Sequence, residues 1–360
     1  MANSDNSKPP IYMKDLNKSQ LTISGRVTLA DVAKAAGVST SAVSRTFTPG
    51  ASVAKKTRTH ILKVATNLGY RPNAIARTLS TQRSRIIGLV VSYLHNQFYP
   101  TIIERLSQHL QAQGYHVLLF ISGDHSGAEA ETDSLVLDIL QYQVDGLVLM
   151  STTMSSRLAM HCHTLGIPVV MLNRTAPIKQ VNAVSSNNYE GGRLAARFFI
   201  NAGAHRISFI GGLKNASTTV ERQQGFIDEL LHHDISPHSQ VYGNYDFHTA
   251  GQVTQSLFTT KNPPDALFVA NDHMAFSVLD VLRSKLGIAV PDDVQVIGFD
   301  NVPQASWRAY YLTTVEQNAE QMVKHTITTL LDSLKSPTAE PRQIVVPVKL
   351  IERGTTWKLP

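Results

Sequence analysis

Between Gly37 and Phe47 the chain reads GVSTSAVSRTF, which gathers five hydroxyl side chains and one arginine into eleven residues. If a helix starts just after Ser39, then Ala42, Val43 and Phe47 fall on one face, while Thr40, Ser41, Ser44 and Arg45 point away from it. Short hydroxyls let a helix approach base edges or phosphates closely, and a guanidinium can hold guanine O6 and N7 with two parallel bonds. The chemistry on offer is the reading of duplex DNA rather than the making of a bond. The first residues of such a helix meet the bases, so Thr40 and Ser41 are the expected direct readers, with Arg45 one turn further on.

A second group of polar residues stands immediately after apolar runs: His95, Asn96, Phe98 and Tyr99; Asn173 and Arg174; Asn271 and Asp272; Asp300 and Asn301. Ligands of open parallel sheets bind beyond the carboxyl ends of the strands. Amides, carboxylates and aromatic rings in those places suit a polyhydroxylated molecule, whose hydroxyls take hydrogen-bonding forks and whose C–H surface takes a ring. Asp272 and Asn301 serve equally well as simple caps of the following segments.

These residues need elements to hold them. Leu29, Val32, Ala33 and Ala36 have the spacing of one helical face, with Thr28 as N-cap and Gly37 as the left-handed stop. Ser39 caps a second helix, and two helices joined by a short glycine turn form a helix-turn-helix pattern. A third helix is expected from Lys55 to Leu68, with Ile61, Ala65 and Leu68 inward, Gly69 ending it and its lysines free for phosphates. Asn73 can cap a further short segment, NAIARTLSTQRSR, too short to be stable alone. Its Leu79, flanked by Arg77, Arg83 and Arg85, suits a minor-groove wedge.

Beyond Arg85, short apolar runs alternate with helical patterns. IIGLVVS, HVLLFIS, DGLVLMS and PVVMLN form one series, with helices near 99–113 and 127–142. RISFIGG, VYGN, ALFVAN and VQVIGF form another, with helices near 220–232 and 273–285. Strands alternating with helices imply parallel sheets, here in two α/β subdomains, with chain crossings near 185–190 and 312–318. The last strand pair, around IVVPVKLIERGT, is expected to complete the second subdomain. The expected division is a disordered polar tail over 1–25, a helix-turn-helix domain over 26–72, a hinge over 73–85 and an effector-binding and dimerisation domain over 86–360.

Charge supports that division. Residues 1–85 hold 14 Lys and Arg against 3 Asp and no Glu, a net +11, although the whole chain of 360 residues carries only +6. Such asymmetry fits a polyanion-binding module joined to a near-neutral domain. No apolar run approaches a membrane span, and the first 25 residues lack the apolar run of a signal peptide, so a cytoplasmic address is expected. A single cysteine, Cys162, excludes an internal disulfide and cysteine-based zinc modules. His161 and His163 are two apart and do not share a helical face, while His232 and His233 are adjacent with no further ligand at useful spacing. No metal site, cofactor or catalytic residue is therefore expected, and no phosphate-binding or nucleophile motif is present to suggest an enzyme.

The segments VTLADVAKAAGVSTSAVSR and RPNAIARTLSTQRSRIIGLV make the chain resemble the lactose/galactose repressor family of bacterial transcription regulators, from about Val27 to Thr356. The resemblance implies a periplasmic-binding-protein-like sensor, a palindromic operator bound by a homodimer, and a hinge helix that orders on DNA. By position it assigns base contacts to Thr40, Ser41 and Arg45, and backbone or minor-groove contacts to Thr28, Ser44, Lys56, Asn73, Ala76, Arg77 and Leu79. It departs at Ala42, where the family commonly has threonine, so the hydroxyl that would make one phosphate or base contact is missing. In the sensor it adds Arg222 to Asn96, Phe98, Tyr99, Asn173, Arg174, Asn271 and Asp300, and asks for an aromatic in GNYDFHTAG, where Tyr245 and Phe247 compete. A sugar or sugar derivative is the implied effector, with a purine, a sugar phosphate or a protein coregulator as the alternatives that other members use. The end of the chain at GTTWKLP carries no leucine-heptad tail, so a dimer rather than a tetramer is expected.

Overall fold

The computed structural model describes residues 27–48, 50–71, 83–122, 129–174 and 181–358, and the chain divides into two compact units between Gln82 and Arg83. The expectations for Asn73, Ala76, Arg77 and Leu79, and for the tail over 1–25, lie outside the described residues. Among the described residues no helix is long and apolar enough to cross a membrane.

The first unit has three helices, α1 (Leu29–Ala36), α2 (Thr40–Phe47) and α3 (Lys55–Asn67). Helix α1 starts with a reciprocal cap: the Asp31 amide donates to Thr28 Oγ1 at 3.3 Å, and the Thr28 amide donates to Asp31 Oδ2 at 2.8 Å. Gly37, at φ +62°, turns the chain as its amide and that of Val38 donate to the Lys34 and Ala33 carbonyls. A β-carbon would resist that left-handed geometry. The Ser39 hydroxyl then takes the Ala42 amide at 3.2 Å and opens α2. Val32, Ala33, Ala36, Val43, Ile61 and Ala65 form the core, with Leu29, Phe47, Leu68 and Tyr70 packed around it. Arg58 fastens α3 to the end of α2 through the Thr46 and Ala51 carbonyls, at 3.1 and 3.0 Å.

The second unit holds two six-stranded sheets. In the first, β11 (Gln343–Val346), β5 (Asn182–Ser186), β4 (Val169–Leu172), β3 (Gly146–Met150), β1 (Ile86–Val91) and β2 (His116–Ile121) lie side by side, all parallel. The second runs β12 (Val348–Ile351), β10 (Thr313–Gln317), β9 (Gln295–Asp300), β8 (Ala266–Val269), β6 (Ile207–Gly211) and β7 (Ser239–Tyr242), with only β12 antiparallel. Strands such as IIGLVV and ALFV are apolar along their whole length because helices cover both faces of a parallel sheet. Those helices are α4 (Phe98–Ala112), α5 (Glu129–Leu140), α6 (Ser156–Thr164), α7 (Asn188–Asn201), α8 (Ser217–His232), α9 (Phe247–Phe258), α10 (Asp272–Asp280) and α11 (Ala319–Lys335). A π-helical turn, Val281–Lys285, extends α10.

One expectation fails. The terminal strand pair does not complete the second subdomain, because β11 pairs with β5 in the first sheet and β12 with β10 in the second. Pro347 stands between them, cannot donate a ladder bond and marks a third crossing. Strands β5 and β10, NAVSS and TTVEQ, carry little apolar signal, yet both are buried nearly throughout. They lead into the other two crossings, where the Ser186 hydroxyl donates to Gln317 Oε1 at 2.7 Å and ties one sheet to the other.

Helices α7 and α8 approach through glycines. A methyl group at Gly192 would collide with the Arg222 carbonyl oxygen, and one at Gly225 with that of Tyr189. This close packing presses the start of α8, and Arg222 with it, against the ends of β8 and β9. Glu229 clamps the far end between Arg193 Nε at 2.7 Å and Arg197 Nε at 2.8 Å.

Candidate nucleic-acid interface and ligand cleft

On α2, Thr40, Ser41, Ser44 and Arg45 are all exposed, and Lys56 is exposed at the start of α3. Thr46, the fifth hydroxyl of the run, is buried and donates to the Ala42 carbonyl at 2.9 Å, so it belongs to the core face. The Arg45 side chain lies along its own helix, Nε donating to the Ser41 carbonyl at 3.3 Å. Neither α2 nor α3 has an acidic residue in its first turn, and α3 opens on Lys55 and Lys56. Cations at the positive end of a helix dipole weaken the isolated helix. The same placement favours a polyanion. Thr28 spends its hydroxyl on the cap of α1, and its exposed surface is what remains for a phosphate.

The cleft between the two sheets gathers residues from the carboxyl ends of β1, β3, β4, β8 and β9, and from α8. Tyr93, Asn96, Tyr99, Ser151, Asn173, Thr218, Arg222, Tyr245, Asn271 and Asp300 line a cavity of about 10 Å³. Ligand pockets usually enclose about 300–1,000 Å³, so this is a contracted conformation. Its side chains occupy one another. Asn96 Nδ2 donates to Asp300 Oδ2 at 3.2 Å, and Arg174 Nη1 to Thr218 Oγ1 at 3.4 Å, both bonds spanning the cleft. Gln317 Nε2 donates to Asp300 Oδ1 at 2.6 Å.

Arg222 is 2% exposed. Its Nε donates to Asn188 Oδ1 at 2.9 Å, Nη1 to the Ala270 carbonyl, and the guanidinium lies 3.5 Å from the centre of the Phe299 ring with Asp300 Oδ1 at 4.0 Å. Burial raises the Asp300 carboxyl to about 6, against the opposing pull of Arg222, Gln317 and Asn96. Tyr99 shares a hydrogen with Ser151 and takes one from Asn173 Nδ2 at 3.2 Å. Burial raises its phenol too. Ser151, Asn173, Tyr245, Asp300 and Asn301 all have positive φ, a concentration of unfavourable backbone at the strand ends that is typical of functional loops. Three buried polar atoms in this region have no hydrogen-bond partner: Asn173 Oδ1, Arg174 Nε and Asn271 Nδ2.

The competition in GNYDFHTAG is decided by geometry. Tyr245 reaches the cavity, its hydroxyl 2.9 Å from those of both Thr218 and Thr219. Phe247 begins α9, packs on His273 and lines a separate groove with Gln252 and Ser277. Phe98 is buried beside Asp300 but faces an adjacent groove with Arg105 and Glu316. Asp272 is structural: the Val302 amide and Thr314 hydroxyl donate to its two oxygens at 2.9 and 2.6 Å. Asn301 bonds Glu316 and Arg353. His95 lies close enough to His273 for its charge to help lower that imidazole, whose fall is due first to burial.

Sequence reasoning missed Tyr93, Ser151, Thr218 and Gln317. Ser151 stands directly after β3, where the strand-end rule points; Gln317 ends a strand too polar to be recognised. Cys162 is buried and its thiol pushed up to about 11 by burial, while His161 and His163 are exposed. Among the described residues no cluster of His, Cys, Asp and Glu could hold a metal ion.

Comparison with known proteins adds to this geometry. Residues 28–73 match the profile of bacterial regulatory proteins of the lacI family, and residues 196–356 match the periplasmic binding protein-like domain. The chain is 30% identical over 335 residues to the HTH-type transcriptional repressor PurR of Vibrio atlanticus (strain LGP32), covering 92% of this chain and 99% of that one. The lac repressor dimer bound to operator and the anti-inducer ONPF superposes with a TM-score of 0.83 at 24% identity, covering 93% of this chain and 100% of that one, a likeness of fold. A transcriptional regulator CelR–cellobiose complex superposes with a TM-score of 0.68 at 30% identity, covering 92% and 100%.

Proposed function

This chain belongs to the LacI family of bacterial regulatory proteins, DNA-binding transcriptional repressors with an effector-binding domain and no enzymatic activity, and from that premise we propose how this member works. Two copies present their α2 helices to the halves of a palindromic operator. Thr40, Ser41 and Arg45 read bases, while Thr28, Ser44 and Lys56 hold phosphates. A small polyhydroxylated effector, a sugar or sugar derivative controlling carbohydrate genes, occupies the cleft. The expected setting is the cytoplasm, where the DNA is.

The observation that carries the effector reading is the set of unpartnered atoms, Asn173 Oδ1, Arg174 Nε and Asn271 Nδ2, around a cavity whose remaining polar groups satisfy each other across the cleft. Buried polar atoms are ordinarily hydrogen-bonded, so an acceptor and two donors left open describe a polar guest. That a relative is found in complex with cellobiose supports a carbohydrate effector. For the dimer, the support is apolar surface: Leu119 and Ile121 are about half exposed on the edge strand β2, as are Trp307 and Tyr311 before β10.

A ligand shifts an equilibrium only by its difference in affinity between the two states. An effector that bridges the cleft replaces the Asn96–Asp300 and Arg174–Thr218 bonds, and so changes the relative energy of open and closed forms. If the operator-binding form holds it better, it is a corepressor; the reverse makes it an inducer. The deciding experiment is to sequence genomic fragments retained by the full chain at physiological salt with excess nonspecific DNA. A discrete palindrome beside carbohydrate genes is expected, and its affinity should respond to those genes' substrate. Retention without a motif would overturn the repressor reading; a motif beside purine genes would replace the sugar.

A further inference from the structure

We infer that the effector is an acid, a polyhydroxylated molecule bearing one carboxylate or phosphate group, and that Arg174 receives that group. This rests on the effector-cleft reading above and narrows it.

Two guanidiniums are buried near the cleft, and their surroundings differ. Arg222 has Asn188, the Ala270 carbonyl, the Phe299 face and Asp300 around it. Arg174, 5% exposed, has two long bonds of 3.4 Å, to Thr218 Oγ1 and to the Ser151 carbonyl, and its Nε has no partner. Both acceptors are neutral. Among the described residues no carboxylate oxygen lies within 4.0 Å of it. The two buried carboxylates nearby are already engaged, Asp300 by Gln317 and Asn96, Asp272 by Thr314 and Val302. A guanidinium does not shed its proton, and burying it without a counter-charge is costly.

The Arg174 guanidinium bonds Ser151 and Thr218, both of which belong to the cavity wall. Its flat pair of donors matches a carboxylate or a phosphate and matches a lone hydroxyl poorly. Asn271 Nδ2 and Asn173 Oδ1, open and buried, are left for the hydroxyls of the same molecule. Asp300 stands against Arg222, while among the described residues no carboxylate contacts Arg174, so its counter-ion is left for a ligand to supply.

The test is calorimetric titration of the full chain at fixed ionic strength with matched pairs: D-glucose and D-glucuronate, D-galactose and D-galacturonate, D-fructose and D-fructose 6-phosphate, with acetate and inorganic phosphate as the smallest anions. We expect the acid of at least one pair to bind roughly tenfold or more tightly than its neutral partner, and Arg174→Met to reduce that ratio to about one. The uronate and phosphate arms separate the two anions. Equal binding of acid and neutral members, an acid preference that survives in Arg174→Met, or no binding of any anion to the unaltered chain would each overturn the inference. Asp300→Ala separates the two claims, with Ser151→Ala in its place if that variant fails to fold. A ligand indifferent to it does not sit in the cleft, and the effector-cleft reading falls. A ligand that needs Asp300 but ignores Arg174→Met leaves the cleft reading standing and sinks the acid alone.

Discussion

On α2 the side chains of Thr40, Ser41 and Arg45 stand in solvent, whereas in the cleft Asn96, Asn173, Arg174, Arg222 and Asp300 are none of them more than 5% exposed. On the proposed function the two regions recognise by opposite routes. A DNA duplex is a large polyanion that comes to a surface, so groups that read it can remain hydrated until it arrives. A small ligand must be enclosed, so its partners are buried beforehand and bind one another in its place. The surface reader therefore carries little folding energy in its functional groups, while the cleft's functional groups are part of its packing. Changes at the two places should separate accordingly.

The largest separation is expected from Gly225→Ala. The added methyl meets the Tyr189 carbonyl and forces α7 from α8. Overpacking against a backbone costs about 3 kcal/mol, the upper end of the usual range, and in a domain this size each kcal/mol moves the midpoint by about 2–4 °C. Scanning calorimetry should show the sensor transition fall by roughly 6–12 °C, with effector binding lost because Arg222 rides on α8. Amide exchange at Val43 and Ile61 should be unchanged. If protection there falls in parallel, the two units are not energetically separate.

Arg45→Ala is the mirror experiment. One bidentate base contact is worth about 1–3 kcal/mol, so operator affinity should fall roughly 5- to 150-fold, with the loss concentrated at one base pair. Fluorescence anisotropy with operator variants measures this. Effector affinity should not change. A loss spread evenly over all sequences would instead make Arg45 a phosphate ligand, and the salt slope would then drop by about one.

The strand and helix order of the sensor was legible because β1, β3, β4, β6, β8 and β9 are apolar runs of 4–6 residues between helical patterns. What escaped were β5, β10 and the split of β11 from β12, all at the crossings between the sheets. Periodicity fails there for a physical reason: these strands lead into the hinge of the cleft, so they carry buried polar residues such as Ser186 and Gln317, which bond each other rather than water. Reading strand ends found Asn96, Asn173, Asn271 and Asp300, since that rule depends only on topology. It could not rank Tyr245 above Phe247, because the positive φ of Asn244 and Tyr245 turns the chain before α9 begins. The helix-turn-helix was legible almost residue by residue, since its caps and glycine stop are local chemistry.

The two regions also differ in their response to pH. Burial raises the Asp300 carboxyl to about 6, above its unfolded value near 3.9. In that window the folded sensor holds a proton that the unfolded chain has released. Its contribution is thus fully present below about pH 4 and is lost as pH rises through about 6. His273 acts with the opposite sign, because burial lowers it, so acid costs stability as pH falls below its unfolded value. Subtracting the Asp300→Asn profile from that of the unaltered chain removes the histidine. The difference should decline from pH 4 to 6 and be flat above, in the sensor transition alone. A flat difference throughout would mean that Asp300 is ionised at ordinary carboxylate pH and that Arg222 compensates it fully.

The smallest effect tests the reader on two serines two residues apart. Ser39 is the N-cap of α2, its hydroxyl accepting the Ala42 amide at 3.2 Å. Ser41 is exposed, and its hydroxyl lies 2.9 Å from that of Ser39 on the outer side of the turn. Removing a serine cap costs about 1 kcal/mol, so Ser39→Ala should speed exchange of the Ala42 amide and weaken operator binding only as far as the helix frays. Ser41→Ala should leave exchange at Ala42 unaltered and lower operator affinity by a similar few-fold, with altered preference at a single base pair. Two variants of nearly equal affinity would thus differ in exchange and in base preference. If Ser41→Ala also releases the Ala42 amide, the paired hydroxyls act together as the cap. The outward face of α2 would then share structural duty with the core, as the polar groups of the cleft do.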